Sequence, residues 1–373
     1  VRIGIPTEVK THEDRVAITP AGVRELVHAG HEVFVQAGAG LGSSITDAEY
    51  ADSGARVPAT AEDIWATGEL ILKVKEPIAD EYPRLRAGQV LFTYLHLAAD
   101  KRLTAELLAA GVTALAYETV QTADGALPLL APMSEVAGRL APQVGAATLM
   151  KANGGRGVLL GGVPGAPPAR VVIIGAGVSG LNAAAIAVGM QAEVTLLDVN
   201  VARLRAVDQI YRGRVRTLAS TAHAIDQAVL DADLVIGAVL VAGAKAPTLI
   251  SNELVRRMKP GSVLVDISID QGGCFQDSHP TTHADPTYPV HSSVFYCVAN
   301  MPGAVPNTAT HALTNVTLPY AAQLANQGWR RACTENPSLA SGLNTVGGHL
   351  VNAAVAEATG IESIASSEVL TPA

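Results

Sequence analysis

The chain is poor in aromatic residues, in cysteine and in charge. Phenylalanine, tryptophan and tyrosine make up 4% of its 373 residues, and Asp, Glu, Lys and Arg together 16%. Its three cysteines, Cys274, Cys297 and Cys333, have neither metal-ligand nor redox spacing. They read as buried apolar side chains, and no metal site is expected. No apolar run reaches membrane-spanning length, and the first residues lack a signal-peptide pattern. A cytoplasmic protein without a membrane partner is therefore expected. Nothing basic is clustered against the net charge of −8, which argues against nucleic acid as a partner.

What is present is abundant alanine and glycine in a chain that is 49% hydrophobic. Close helix-to-strand packing must then carry much of the core. The composition suits a large buried α/β interior, and the length exceeds the usual ceiling for one core, so two domains are expected.

The densest signal is the stretch from Arg170 to Asn200, RVVIIGAGVSGLNAAAIAVGMQAEVTLLDVN. A wholly apolar β-branched run, the mark of a strand buried on both faces, leads into Gly175, Gly177 and Gly180 at G-x-G-x-x-G spacing. A small-residue helix follows, then a second apolar run that ends at Asp198. Gly175 permits the tight turn, Gly177 lets the backbone approach a pyrophosphate, and Gly180 lets helix and strand pack closely. The N–H groups of the helix start face the anion. Asp198 stands where a carboxylate accepts both ribose hydroxyls of an adenosine and repels a 2′-phosphate, which favours NAD. Arg203 has two readings of equal weight, a solvated helix charge or a contact to the adenosine side of the cofactor.

Elsewhere strands and helices alternate, which implies parallel sheets and right-handed crossovers. Strands are expected at residues 2–6, 31–36, 70–74, 90–95 and 112–117. Helices are expected at 20–28 (capped by Thr19), 47–53, 61–67 and 103–110. A long helix begins near Pro132, with Pro142 inside it as an expected kink or break. After Asp198 come strands at 215–218, 234–240, 263–267 and 295–298, completing a six-stranded doubly wound sheet. Helices are expected between them and again at 308–326 and 348–358. The fold class is α/β in two domains, a Rossmann sheet inserted into a discontinuous substrate domain. The substrate domain takes residues 1–130 and 306–373, and the nucleotide domain 131–305.

Four residues outside the fingerprint are candidates for chemistry. Arg15 sits in a charged loop, where a surface salt bridge is its simplest role. Lys75 ends one apolar strand and His96 another, and ligands of parallel sheets bind beyond the carboxyl ends of strands. Histidine is also the natural proton shuttle near neutral pH. Asp270 follows a strand of the nucleotide domain, where it can face a nicotinamide. Its alternative is a turn aspartate before glycines, and Asp266 is its rival.

Many segments in order carry a further signal, among them RIGIPTEVK, EDRVAITP, ILKVKEP, LFTYLHLA, LPLLAPMSEVAGR, VDISIDQGG and NMPGAVP. Through them the chain resembles the alanine dehydrogenase family, which includes the nucleotide-binding subunit of proton-translocating transhydrogenases. The resemblance implies reversible NAD-dependent oxidative deamination of L-alanine to pyruvate and ammonium, and a homohexamer; a small pocket that discriminates a methyl group from hydrogen only weakly adds an expected side activity, slow amination of glyoxylate to glycine. It gives Arg15 and Lys75 the pyruvate carboxylate and carbonyl, and makes His96 and Asp270 the acid/base residues. It places Ser134, Gly177, Val178, Asp198, Arg203, Ser220, Val239, Ile267, Asn300 and Met301 against NAD, with Glu118 and Tyr94 in support. One rival is the NAD-binding arm of a membrane transhydrogenase, a branch that lacks counterparts of Lys75 and His96. Another is a saccharopine dehydrogenase, which shares a lysine–histidine pair but not the NMPGAVP and VDISIDQGG segments.

Overall fold

The structure, a computed structural model, describes residues 1–239 and 246–371. The apolar runs of the first third become β1 (Arg2–Ile5), β2 (Glu32–Val35), β3 (Leu70–Leu72), β4 (Val90–Thr93) and β5 (Thr113–Ala116). Helices between them begin at side-chain caps: Thr19 accepts the Gly22 N–H ahead of Pro20, and Thr46 and Thr60 cap the next two. The middle of the chain forms β6 (Arg170–Ile174), β7 (Glu193–Asp198), β8 (Val215–Ala219), β9 (Leu234–Gly237), β10 (Val263–Asp266), β11 (Thr287–Val290) and β12 (Ser293–Tyr296). Two further strands, β13 (Leu343–Val346) and β14 (His349–Leu350), lie near the C-terminus.

The chain divides into two units, Val1–Met133 with Val305–Ala373, and Ser134–Ala304. The sheet of the first unit has seven strands in the order β14-β13-β5-β4-β3-β1-β2. Strands β1 to β5 are parallel, while β13 runs antiparallel to β5. The second sheet also has seven, ordered β11-β12-β10-β9-β6-β7-β8. Its run β8-β7-β6-β9-β10-β12 is parallel and is the strand order of a doubly wound dinucleotide fold, reversing direction between β6 and β9. Alternation along β6 builds both faces of that sheet. Val171 and Ile173 join one apolar cluster, with Ala183, Ala187 and Leu196; Val172 and Ile174 join the other, with Val235, Leu264 and Phe295.

Four features differ from expectation. The helix at Pro132 runs unbroken from Ala131 to Thr148 through Pro142. Its neighbour Gly138 packs so closely that a Cβ there would lie 2.3 Å from the Ser179 carbonyl oxygen, so tertiary contact holds the helix where one N–H is missing. The nucleotide sheet has a seventh strand, β11, antiparallel to β12 at the edge. It contains Pro289, which is tolerated on an edge strand and hides it from pattern reading. In place of a helix from residue 348, Gly347 and Gly348 at φ of 54° and 92° turn β13 back into β14. A helix follows only at Ala353–Thr359, capped by Asn352. Finally, the strands expected to reach 74, 95 and 240 stop at Leu72, Thr93 and Gly237. Leu240 itself lies outside the described residues.

Candidate active site and cofactor site

In the first unit the candidate residues stand just beyond the carboxyl ends of adjacent parallel strands. Past Leu72 the chain keeps its backbone bonds to β4, Lys73 N–H donating to the Phe92 carbonyl and Tyr94 N–H to the Val74 carbonyl, each at 3.2 Å, while on the other side a side chain from the loop after β1 takes over. The Glu8 carboxylate accepts the N–H of Val74 at 2.6 Å and that of Lys75 at 3.3 Å. It also accepts the Lys73 ammonium at 3.2 Å, and Lys73 reaches Glu81 at 2.9 Å. Lys73 is fully buried, as are Glu8 and Glu81 very nearly. Burial pushes the Glu8 carboxyl above its usual range, against the opposing pull of Lys73. Burial would lower Lys73, but its two carboxylate neighbours outweigh that and raise it.

Lys75, two residues on, is different. It is half-buried, and its ammonium makes no hydrogen bond or ion pair among the described residues. Its backbone carbonyl accepts the Thr93 hydroxyl of β4 at 3.0 Å, so Lys75 is gripped at both backbone groups. Burial pushes the Glu76 carboxyl up, but Lys75 and then Lys10 outweigh it and hold it below the usual range. The ion pair between Glu76 and Lys10 ties the Lys75 segment to the loop after β1.

His96 repeats the device one strand along. Glu118, after β5, accepts the N–H of His96 at 2.6 Å and of Leu95 at 3.2 Å. It thereby holds His96 at φ 52°, a conformation uncommon for a side-chain-bearing residue. The imidazole Nδ1 lies 3.9 Å from the same carboxylate, and the ring stacks on Tyr94 with planes 2° apart. Tyr94 is anchored in turn by its hydroxyl, which donates to the Leu129 carbonyl at 2.6 Å.

Arg15 is not the surface cation that its loop suggested. It is 2% exposed, and Glu13 takes its Nε at 2.6 Å and its Nη2 at 2.5 Å in a forked pair. Its Nη1 points to the Met133 sulfur at 2.9 Å. Burial of this kind is costly unless the charge is paired, and the fork fixes the guanidinium plane.

In the second unit every strand of the parallel run ends at a candidate. The turn after β6 carries Gly175 at φ 106°, and Val178 starts the helix Val178–Gly189. That helix begins at Gly177 with no side-chain cap, whereas the next two are capped by Asn200 and Thr221. Its first N–H groups are thus left for an anion. A Cβ on Gly180 would sit 1.8 Å from the Gly175 carbonyl oxygen, while one on Gly177 would meet nothing within 4 Å. Asp198, at the end of β7, is 5% exposed. It accepts the Ala176 N–H of the glycine turn at 2.6 Å and the Asn200 N–H at 2.7 Å. Arg203 is exposed with Nη1 3.8 Å from Asp198, and the Ser220 N–H donates to the Asp198 backbone carbonyl at 3.0 Å.

Val239 after β9 and Ile267 after β10 are joined by Ser268. Its hydroxyl donates to the Val239 carbonyl at 2.7 Å and accepts the Val239 N–H at 3.1 Å. The short turn Ile267–Gln271 carries Asp270 to the surface. Its rival Asp266 is fully buried and already engaged, accepting Ser268 N–H at 2.9 Å, Cys274 N–H at 2.8 Å and the Ser278 hydroxyl at 2.6 Å. Beyond β12, Asn300 adopts φ 64° and its carbonyl lies 3.1 Å from the His283 Nε2, next to buried Met301. Ser134 is half-buried on the helix Ala131–Thr148. Glu8, Lys73, Glu81 and Ser268 were not legible in the sequence, because each acts on a residue that only folding brings near; Glu13 lies two residues from its partner Arg15, and only burial shows that the pair is not a surface salt bridge.

A dinucleotide turn with an open glycine, an uncapped helix start and a strand-end acid define an NAD-binding α/β enzyme. The chain belongs to the alanine dehydrogenase/PNT family: the N-terminal domain model of that family matches residues 4–137 and the C-terminal domain model residues 141–353. It is 62% identical over 370 residues to alanine dehydrogenase of Mycobacterium tuberculosis (strain ATCC 25618 / H37Rv), covering 99% of this chain and 100% of that one. To alanine dehydrogenase of Geobacillus stearothermophilus it is 56% identical over 360 residues, 96% of each. A solved L-alanine dehydrogenase superposes with a TM-score of 0.94 at 50% identity, over 96% of this chain and 99% of that one. The transhydrogenase from Sinorhizobium meliloti superposes at 0.81 with 26% identity, over 95% of this chain and 100% of that one. Among the described residues no helix is long and apolar enough to cross a membrane.

Proposed function

We propose that the chain catalyses the reversible NAD-dependent oxidative deamination of L-alanine to pyruvate and ammonium. The observation that carries this reading is the likeness to alanine dehydrogenases over essentially the full length of both chains, with the lysine and histidine present at the ends of β3 and β4. Gly175, Gly177, Val178 and Gly180 hold the pyrophosphate of NAD and Asp198 its ribose, flanked by Arg203, Ser220, Val239, Ile267, Asn300, Met301 and Ser134. Bound NAD supplies the hydride acceptor.

Arg15 receives the substrate carboxylate, its plane set by Glu13, and Lys75 polarises the oxygen or nitrogen on the α-carbon. Loss of the α-hydride leaves an iminium carbon, to which water adds as His96 or Asp270 takes its proton. The same residue returns that proton to the carbinolamine nitrogen, and ammonia leaves as the hydroxyl gives its proton back to the residue and the carbonyl forms. The substrate amine must be deprotonated before oxidation, so deamination is favoured at alkaline pH. A pocket for one methyl group discriminates against hydrogen by only about 1–3 kcal/mol, so glyoxylate is slowly aminated to glycine.

The test follows NADH absorbance with pyruvate and ammonium. Oxidation that requires both is expected, from a preparation that sediments as a homohexamer, the assembly the family resemblance implies. No oxidation despite NADH binding would favour the transhydrogenase-arm reading, and oxidation without ammonium a 2-keto acid reductase. Asp198→Ala is expected to weaken NAD binding by about tenfold, the size of one charge-assisted hydrogen bond, and to relax rejection of NADP. The NAD-to-NADP affinity ratio separates the ribose role of Asp198 from its support of the glycine turn, because loosening that turn weakens both cofactors alike. An unchanged ratio would count against the ribose role.

A further inference from the structure

The buried carboxylate of Glu8 has no part in the proposed chemistry, yet it is placed where it controls one of its groups. We propose that Glu8 is the positioning residue for Lys75, presenting that ammonium to the substrate carbonyl by holding the backbone past β3. The inference rests on the reading of Lys75 as a substrate ligand. Three observations carry it. Glu8 accepts the N–H of both Val74 and Lys75, so on the β1 side the backbone that aims Lys75 is held by a side chain, while β4 holds the preceding residues through backbone bonds. Glu8 is itself fixed from behind by Lys73, which Glu81 holds on its other side. Thr93 grips the Lys75 carbonyl from β4, so the backbone of one residue is held by two elements. The same arrangement recurs where Glu118 holds His96 and where Asp198 holds the glycine turn. In each case a carboxylate at or beyond the end of one parallel strand takes N–H from the chain beyond its neighbour, two from Glu8 and Glu118 and one from Asp198.

Charge count makes the test clean. The buried group holds two carboxylates and one ammonium, so Glu8→Gln leaves Lys73 paired with Glu81 and no charge stranded. The variant is expected to fold. Pyruvate is titrated into the enzyme–NADH complex without ammonium, reading the fluorescence of bound NADH, for the parent, Glu8→Gln, Lys75→Ala and the double variant. Glu8→Gln is expected to weaken pyruvate binding about tenfold, the size of a lost charge-assisted hydrogen bond, and to leave NADH affinity unchanged. In the Lys75→Ala background the same change is expected to have no further effect, because a positioning residue acts only through its partner. Glu8→Asp, which keeps the charge but withdraws it by one methylene, is expected to weaken pyruvate as well. Parent-like pyruvate binding by Glu8→Gln, or an equal loss with and without Lys75, would overturn the inference. Parent-like binding by Lys75→Ala would instead remove Lys75 from the substrate site, and with it the residue that Glu8 positions.

Discussion

Lys75→Ala is expected to lower the rate of pyruvate amination by about a thousandfold, the loss that follows removal of a preorganised charge at a developing oxyanion. The fold should survive, because the Lys75 ammonium makes no hydrogen bond or ion pair among the described residues and Glu76 keeps its ion pair with Lys10. Lys73→Ala is the contrasting case. It strands Glu8 and Glu81 in the interior and is expected to cost about 3–5 kcal/mol of stability. Two lysines two positions apart thus have opposite signatures, one lost in kcat/KM and one in thermal unfolding. His96→Ala should resemble Lys75→Ala, with a loss of about 10²–10⁴-fold for a proton-transfer residue and NADH affinity unchanged. Steady-state rates with parallel NADH fluorescence titrations check Lys75→Ala and His96→Ala, and thermal unfolding checks Lys73→Ala. Retained turnover would remove the residue concerned from the chemistry.

The lysine pair also marks where sequence reading stops. In LILKVK both lysines fall on the same parity of a strand, so period-two patterning treats them alike. What separates them is Glu8, more than sixty residues away in sequence and brought close by the pairing of β1 with β3. Past the last residue of β3, Glu8 accepts the N–H groups of Val74 and Lys75 in place of a β1 carbonyl. The glycine turn was legible for the opposite reason: strand, glycines, helix and acid are contiguous, and their geometry is set locally. Asp270 and Asp266 were both visible as strand-end acids. Only burial, and three donors converging on Asp266, show which one anchors the turn and which is exposed on it. Pro142 does not break its helix because packing overrode a local rule, whereas β11 gave no strand signal because its proline sits on an edge strand, where a missing N–H is tolerated.

Gly180→Ala is expected to abolish NADH binding and to destabilise the second unit, and Gly177→Ala separates those two effects. The Cβ added at Gly180 would meet the Gly175 carbonyl oxygen at 1.8 Å, well inside contact distance. Gly175 has no room to yield. Its own Cβ position lies 2.4 Å from the Ala238 carbonyl oxygen, and its φ of 106° is a conformation reserved for glycine. The added methyl has no rotamer and meets a backbone atom, so the clash cannot be relieved by turning a side chain. Either the helix Val178–Gly189 moves off β6 or the turn opens, and both withdraw the N–H groups that receive the pyrophosphate. Overpacking of this kind costs about 1–3 kcal/mol or more, which for a unit of this size lowers Tm by roughly 2–10 °C. At Gly177 the added methyl meets no protein atom within 4 Å, so thermal unfolding should be unchanged. If NADH affinity nevertheless falls about tenfold or more there, the open face of Gly177 is reserved for the cofactor and not for packing. Unimpaired NADH binding by Gly177→Ala would place the pyrophosphate elsewhere on the turn.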